Sequence, residues 1–328
     1  MLTDPFGRNI TYLRLSVTDR CDFRCVYCMA EDMTFLPRRD ILSLEELGEI
    51  AATFIELGGK KIRLTGGEPL VRNDIDRLTR DIGSLPGLSE LAITTNGSQL
   101  HKYAAKFKQD GVKSINISID SLKADRFRQL TRTGDLKLVQ RGLDAALDAG
   151  IERIRLNSVI MKGHNDDEIE SLVEFALNKG VDIAFIEEMP LGVMESERDR
   201  RWLSNEALFE RLSQRFDFAP CEQNGVTSGP ARYQSVKGSN TRIGFISPHT
   251  NNFCGSCNRI RITVEGRLLL CLGNEHSVDL RSVLRSPNYA RSTLKKVMTD
   301  ALQIKPERHH FYDPSAPQIV RFMNATGG

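Results

Sequence analysis

From Tyr12 onward the chain alternates short β-rich runs with longer segments of helical period, and that alternation leaves few folds open. A strand, a crossover helix and a second strand running the same way form the repeating unit of parallel-sheet proteins. The spacing predicts strands over 12–17, 61–65, 91–95, 114–119, 153–160 and 182–188. Between them, segments 44–57, 74–82, 137–149 and 167–178 carry apolar residues three and four apart, the period of a helix with one buried face. Six βα units result. A closed barrel takes eight, so the expectation is an α/β fold built as an incomplete (β/α)6 TIM-like barrel, with its chemistry at the carboxyl ends of the strands.

After Pro190 the pattern changes to a charged stretch over 195–201, a helical segment over 204–215 and a Gly/Ser/Asn-rich region over 223–240. Beyond it the βα alternation stops. The reading is a barrel over 1–220 and a smaller C-terminal region over 221–328 that holds the second group of cysteines, with the boundary falling near 190–230. Hydrophobic residues at 40% and charged residues at 27% suit a chain with a sizeable core and exclude a disordered one. With 45 basic against 43 acidic side chains, bulk charge points to neither nucleic acid nor a membrane surface. An anionic ligand must therefore be met locally. No run of about 18 apolar residues and no basic-then-apolar leader is present. The expected setting is the cytoplasm, with no membrane contact.

Six of the seven cysteines fall into two tight groups, Cys21, Cys25, Cys28 and Cys254, Cys257, Cys271, which in a cytosolic chain favours metal over disulfides. The first group follows the first predicted strand, in a loop at the mouth of the barrel. Iron-sulfur clusters usually take four thiolates, so a trio leaves one iron open to a small molecule, to an external ligand or to a distant cysteine. A structural zinc site completed by a histidine is the other reading; zinc sites more often show CxxC pairs.

CxxxCxxC with an aromatic residue, Tyr27, before the last cysteine resembles the motif of the radical S-adenosylmethionine superfamily. Gly66-Gly67-Glu68-Pro69, at the end of the second predicted strand, is similar to that superfamily's GGEP element. Its glycines admit close approach of a ligand, and Glu68 can hold an ammonium group or a loop. The resemblance implies a [4Fe-4S] cluster on Cys21, Cys25 and Cys28, and S-adenosylmethionine chelating the open iron. Tyr27, Gly67, Ser118 and Met189 are then the cofactor contacts, with Thr94 at a neighbouring strand end.

The second trio has no fourth cysteine beside Cys271; His249 or His276 would complete a zinc site there, and Cys221 reads as an ordinary thiol or a distant ligand. Cys257-Asn-Arg259-Ile-Arg261-Ile alternates as a strand with both arginines on one face. Arginine forks suit phosphate oxygens, which points to a nucleoside triphosphate near this trio.

Together with Leu13-Arg14-Leu-Ser-Val-Thr-Asp19-Arg20, Ile186-Glu-Glu-Met189-Pro190 and the terminal Gly327-Gly328, these features resemble the GTP 3',8-cyclase family across nearly the whole chain. The resemblance implies a lyase that takes the ribose 3' hydrogen of GTP and joins that carbon to guanine C8. Its product is (8S)-3',8-cyclo-7,8-dihydroguanosine 5'-triphosphate, made in the first step of molybdenum cofactor biosynthesis. It also implies a second [4Fe-4S] cluster on Cys254, Cys257 and Cys271 that holds the guanine edge. GTP contacts fall on Arg14, Arg63, Thr94, Arg155, Arg259, Ile260 and Arg261, with arginine at 155 where the family more often has lysine. A Gly327-Gly328 tail reaching the active site, an electron donor for the first cluster, a homodimer and transfer of product to cyclic pyranopterin monophosphate synthase complete the expectation. Two other readings use the same residues: a peptide-modifying enzyme of the superfamily with auxiliary clusters, and a zinc-bound scaffold.

Overall fold

The computed structural model describes all residues except 193–197, 222–228, 251–252, 310, 312–318, 320 and 328. All six predicted strands form: β1 Tyr12–Ser16, β2 Lys61–Thr65, β3 Glu90–Thr95, β4 Val112–Ser118, β5 Arg153–Val159 and β6 Asp182–Ile186. They lie side by side in chain order and run parallel. The crossovers carry the predicted helices, Leu44–Glu56, Ile75–Gly83, Leu136–Asp148 and Ile169–Lys179, and two short ones at Ala104–Gln109 and Ala124–Thr131 that the periodicity did not reveal. The first of these starts where a capping box says it should: Ser43 Oγ accepts from Glu46 N at 3.2 Å, and Glu46 Oε2 accepts from Ser43 N at 2.7 Å.

The chain after β6 supplies β7 Phe218–Pro220, β8 Arg232–Val236, β9 Arg242–Ile246, β10 Arg259–Ile262, β11 Arg267–Leu269 and β12 Ser277–Asp279. β8 falls inside the stretch read as a Gly/Ser/Asn-rich region; its residues, Arg-Tyr-Gln-Ser-Val, fit a half-buried strand once a neighbour is there to pair with it. These strands do not build a sheet of their own. β10 pairs in parallel with β1, and β9 pairs in parallel with β6. Eight parallel strands therefore stand together, with antiparallel pairs β10–β11–β12 and β9–β8–β7 at the flanks. Among the described residues β12 and β7 do not pair, so the barrel stays incomplete. One hydrophobic core runs from Leu2 through Leu13, Ile62 and Phe54 to Leu268, Leu294 and Met298, joining both regions.

Strand side chains alternate between two faces. Leu13, Leu15, Ile62, Leu64, Ile115 and Ile117 point outward and pack beneath the helices. The other face carries Tyr12, Arg14, Lys61, Arg63, Ser114, Asn116, Arg155 and Asn157, and these line an internal cavity. Ordinary barrels fill that space with branched apolar side chains. Here the interior is polar and cationic, which marks it as a binding space.

Candidate active site

Two cavities share the barrel interior. The first, of about 160 Å³, is lined by Cys21, Cys25 and Cys28 together with Tyr27, Gly67, Thr94, Ser118 and Met189, so the structure brings every expected cofactor contact to the first trio. The loop bearing the trio is held by the GGEP element. Gly67 N donates to Thr18 O at 2.7 Å and Glu68 N to Arg20 O at 2.8 Å. A Cβ on Gly67 would lie 2.4 Å from Arg20 O and 2.6 Å from Asp19 O, so the glycine is required by close approach. Glu68, fully buried, acts as a loop clip: its carboxylate accepts from Leu70 N, Thr95 Oγ1 and Asn96 N at 2.6–2.9 Å. Burial pushes its pKa up to about 8 against the pull of those donors.

The three thiols fit an iron-sulfur cluster on their own chemistry. All are free. Burial drives the Cys21 and Cys25 thiols well above their ordinary pKa, aided by Glu68 and then Cys28 at Cys21 and by Cys28 and Asp120 at Cys25, and burial takes Cys28 to about 12. Bound iron reverses that balance by stabilising thiolate. Phe23 N donates to Cys21 Sγ at 3.3 Å, Asn96 Nδ2 lies 3.9 Å from the same sulfur, and the backbone N–H of Asn324 faces Cys28. Donors aimed at sulfur suit cluster thiolates.

Asp120 was not apparent from the sequence. Buried at the end of β4, it accepts from Tyr27 Oη and Val159 N, each at 2.8 Å, and so fixes the tyrosine between two cysteines. Burial lifts its pKa to about 6, with both hydrogen bonds opposing. Ser118, the last residue of β4, and Asp120 two residues beyond it both line the first cavity.

The second cavity, of about 240 Å³, is lined by Cys254, Cys257 and Cys271 and by Arg14, Arg63, Arg155, Arg259, Ile260 and Arg261. Thr94 is the exception among the expected substrate contacts: it lines the first cavity and meets the second group through Arg63 Nη1 at 3.5 Å. Strand register explains the cationic wall. Arg261, Arg14 and Arg63 form one row across β10, β1 and β2, with Arg259, Tyr12 and Lys61 in the row beside it. Arg155 is already engaged, with Nη1 donating to Tyr233 Oη at 2.6 Å and Nε to Asn157 Oδ1 at 3.0 Å. The two cavities share Asn157, Ile186, Met189 and Met323 as wall residues.

Around the second trio the structure finds partners the sequence did not. The histidine against Cys254 is His309, with Nδ1 at 2.9 Å from the sulfur, in place of the His249 or His276 read as candidates. His249 Nε2 instead meets Glu188 O. Lys305, buried, lies 3.9 Å from Cys257 Sγ and donates to the carbonyls of Arg259 and Leu270. Burial raises the Cys257 thiol, but Arg259 and Lys305 outweigh it and bring it down to about 7. Cys221 is half-buried and in neither cavity wall. Among the described residues, no three His, Cys, Asp or Glu side chains group to hold a single metal ion.

The C-terminal helix Met323–Thr326 carries the tail into the same space. Gly327 O accepts from Arg14 Nε and Nη2 at 3.4 and 3.3 Å and from Arg261 Nη1. A side chain there would strike Thr65 Oγ1, and φ is +75°, so glycine is demanded twice over. Gly328 lies outside the described residues.

A polar partial barrel with a thiolate trio after its first strand and a glycine pair after its second defines a radical S-adenosylmethionine enzyme, and residues 15–176 match the radical SAM superfamily model. That membership implies a [4Fe-4S] cluster and S-adenosylmethionine. Residues 181–311 match the family model described as Molybdenum Cofactor Synthesis C. The chain belongs to the GTP 3',8-cyclase family: it is 56% identical to the enzyme of that name from Marinobacter nauticus over 328 residues, all of this chain and 98% of the relative. It is 57% identical to the one from Pseudomonas entomophila over 329 residues, with the same coverage. Streptococcus suis SuiB bound to S-adenosylmethionine superposes with a TM-score of 0.56 at 17% identity, covering 88% of this chain and 68% of that one, a likeness of fold alone. No helix among the described residues is long and apolar enough to cross a membrane.

Proposed function

We propose that the chain converts GTP to (8S)-3',8-cyclo-7,8-dihydroguanosine 5'-triphosphate, the first step of molybdenum cofactor biosynthesis. The observation that carries this reading is the shared wall at Asn157, Ile186, Met189 and Met323, which sets an arginine-lined cavity directly against the cavity of the first trio. Cys21, Cys25 and Cys28 would hold a cluster that, when bound, would supply the electron for reductive cleavage of S-adenosylmethionine. Tyr27, Gly67, Ser118 and Met189 hold that cofactor. Arg14, Arg63, Arg259 and Arg261 take the triphosphate, and Thr94, Arg155 and Ile260 complete the nucleotide's walls. Gly327 closes the space without a side chain, and a role for Gly328, outside the described residues, is part of the same proposal. The same proposal includes a second cluster on Cys254, Cys257 and Cys271 that holds the guanine edge, an electron donor for the first cluster, a homodimer, and transfer of product to cyclic pyranopterin monophosphate synthase.

The deciding experiment incubates the anaerobically reconstituted chain with GTP, S-adenosylmethionine and reductant, and measures nucleotide product, iron and acid-labile sulfide on one sample. A cyclised nucleotide is the expected result; its absence from a fully loaded sample overturns the reading. Cys271→Ser separates the two trios: cleavage of S-adenosylmethionine continues and cyclisation stops. Continued cyclisation would remove the second trio from the substrate site.

A further inference from the structure

At the base of the arginine-lined cavity five side chains close a ring. Tyr12 Oη accepts from Arg63 Nε at 2.8 Å. Arg63 Nη2 donates to Ser114 Oγ at 3.2 Å, and Ser114 Oγ donates to Glu90 Oε1 at 2.7 Å. Glu90 Oε1 pairs with Lys61 Nζ at 3.0 Å, and Lys61 Nζ lies 4.9 Å from the centre of the Tyr12 ring. Tyr12, Arg63, Lys61, Glu90 and Ser114 are all buried, and all line the cavity. Arg63 Nη1 also donates to Ile93 O at 2.7 Å and approaches Thr94 Oγ1 at 3.5 Å, so four of its five N–H groups are committed inside the protein. A guanidinium held this way is aimed before a ligand arrives. The second contact of Tyr12 Oη is Arg14 Nη1 at 3.4 Å, so one oxygen serves two arginines of the phosphate-facing row.

We propose that Tyr12 is a positioning residue for nucleotide binding: its hydroxyl oxygen orients Arg63 and Arg14 toward the triphosphate and supplies acceptor character inside a wall that otherwise gathers cations. The proposal rests on the reading that this cavity takes GTP. Buried arginines without an acceptor repel one another and turn away from the cavity floor, and binding would then have to restore their order. The titration of the site agrees with this picture. Burial alone would raise the Tyr12 phenol, yet Arg63, Arg14 and Lys61 together bring it down to about 6.

Tyr12→Phe removes the oxygen and keeps the ring beneath Lys61. Equilibrium binding of GTP and of guanosine to the reconstituted full chain, without S-adenosylmethionine, gives the direct readout. The expected result is a rise of about tenfold in the Kd for GTP, the scale of one hydrogen bond to a charged group, with a smaller rise for guanosine. In turnover, KM for GTP rises by more than kcat falls. Iron per chain matches the unsubstituted protein, and the melting temperature falls by no more than a few degrees. An unaltered Kd for GTP, an equal loss for guanosine, or a variant that melts early and holds less iron overturns the proposal. Ser114→Ala, which removes the acceptor on the other side of Arg63, is a second probe and raises the Kd for GTP by a smaller factor; unaltered binding there also counts against a preset Arg63. Failure of the unsubstituted chain to bind GTP is a different outcome and strikes the underlying reading instead.

Discussion

Gly67 shows how much a single backbone position decides. Its missing side chain lets the GGEP turn press against Asp19 and Arg20, and that pressure holds the loop leading into Cys21. Gly67→Ala places a methyl where two carbonyl oxygens stand, an overpacking that costs ~1–3 kcal/mol and displaces the cluster loop. The expected outcome is loss of about four irons per chain after reconstitution, with any iron held by the proposed second cluster retained, read by iron analysis. The two trios, Gly67 and the arginines of β10 were legible in the sequence because each is a local spacing of chemically distinctive residues. Asp120, Lys305 and His309 were not, since an aspartate, a lysine or a histidine alone is common and acquires meaning only from the partner that folding places beside it. The nearest available signal was the run of polar residues at alternate positions in strands whose other face is apolar.

At the scale of elements, the rows across β1, β2, β3 and β4 join side chains from four separate segments. Glu90 at the start of β3 illustrates the energetics: it pairs with Lys61 on β2 at 3.0 Å, accepts from Ser114 on β4 at 2.7 Å and meets Arg153 on β5 at 3.1 Å. Burial opposes its ionisation, but Lys61, Ser114 and Arg153 outweigh that and lower its pKa from 4.5 to about 2. A depressed carboxyl stabilises the fold above its unfolded value and loses that contribution as pH falls through the folded one. Glu90→Gln is therefore expected to lower stability by about 3 kcal/mol at pH 7. Urea unfolding of the two proteins should show the gap shrinking between pH 5 and pH 3; a constant gap would assign the effect to packing. Strand positions were predictable to within about two residues because alternation is local. Partners were not, and neither was β8, whose pairing with β7 and β9 outweighs the turn-forming residues around it.

Over the whole molecule, the two ends of the chain converge on the second trio. Arg8, buried near the start, donates from Nη1 to the carbonyls of Cys254 and Glu307 at 2.8 and 2.7 Å and from Nη2 to Pro306 O at 2.7 Å, while its Nε is paired with Asp4. These carbonyls belong to the loop of the second trio and to the segment carrying Lys305 and His309. Removing the guanidinium leaves three buried acceptors without their donor. If the proposed second cluster forms, Arg8→Ala should remove its share, about four irons per chain, from the reconstituted protein and leave the first cluster's spectrum in place. Full iron retention would show that the trio does not depend on the amino-terminal brace.

The sequence by itself determined the chemistry and the parallel α/β plan, because thiolate spacing, glycine pairs and hydrophobic period are properties of neighbouring residues. Reading a smaller C-terminal region after the βα units was also within its reach. Tertiary structure alone decided that β9 and β10 of that region pair with β6 and β1, widening one sheet on both sides. It also decided which arginines share a row, that Tyr12 lies among them, and that Gly327 rests on Arg14 and Arg261. The physical reason is the same for each: strand register and burial of a common core are long-range, and residues some 250 positions apart meet only when the whole barrel forms.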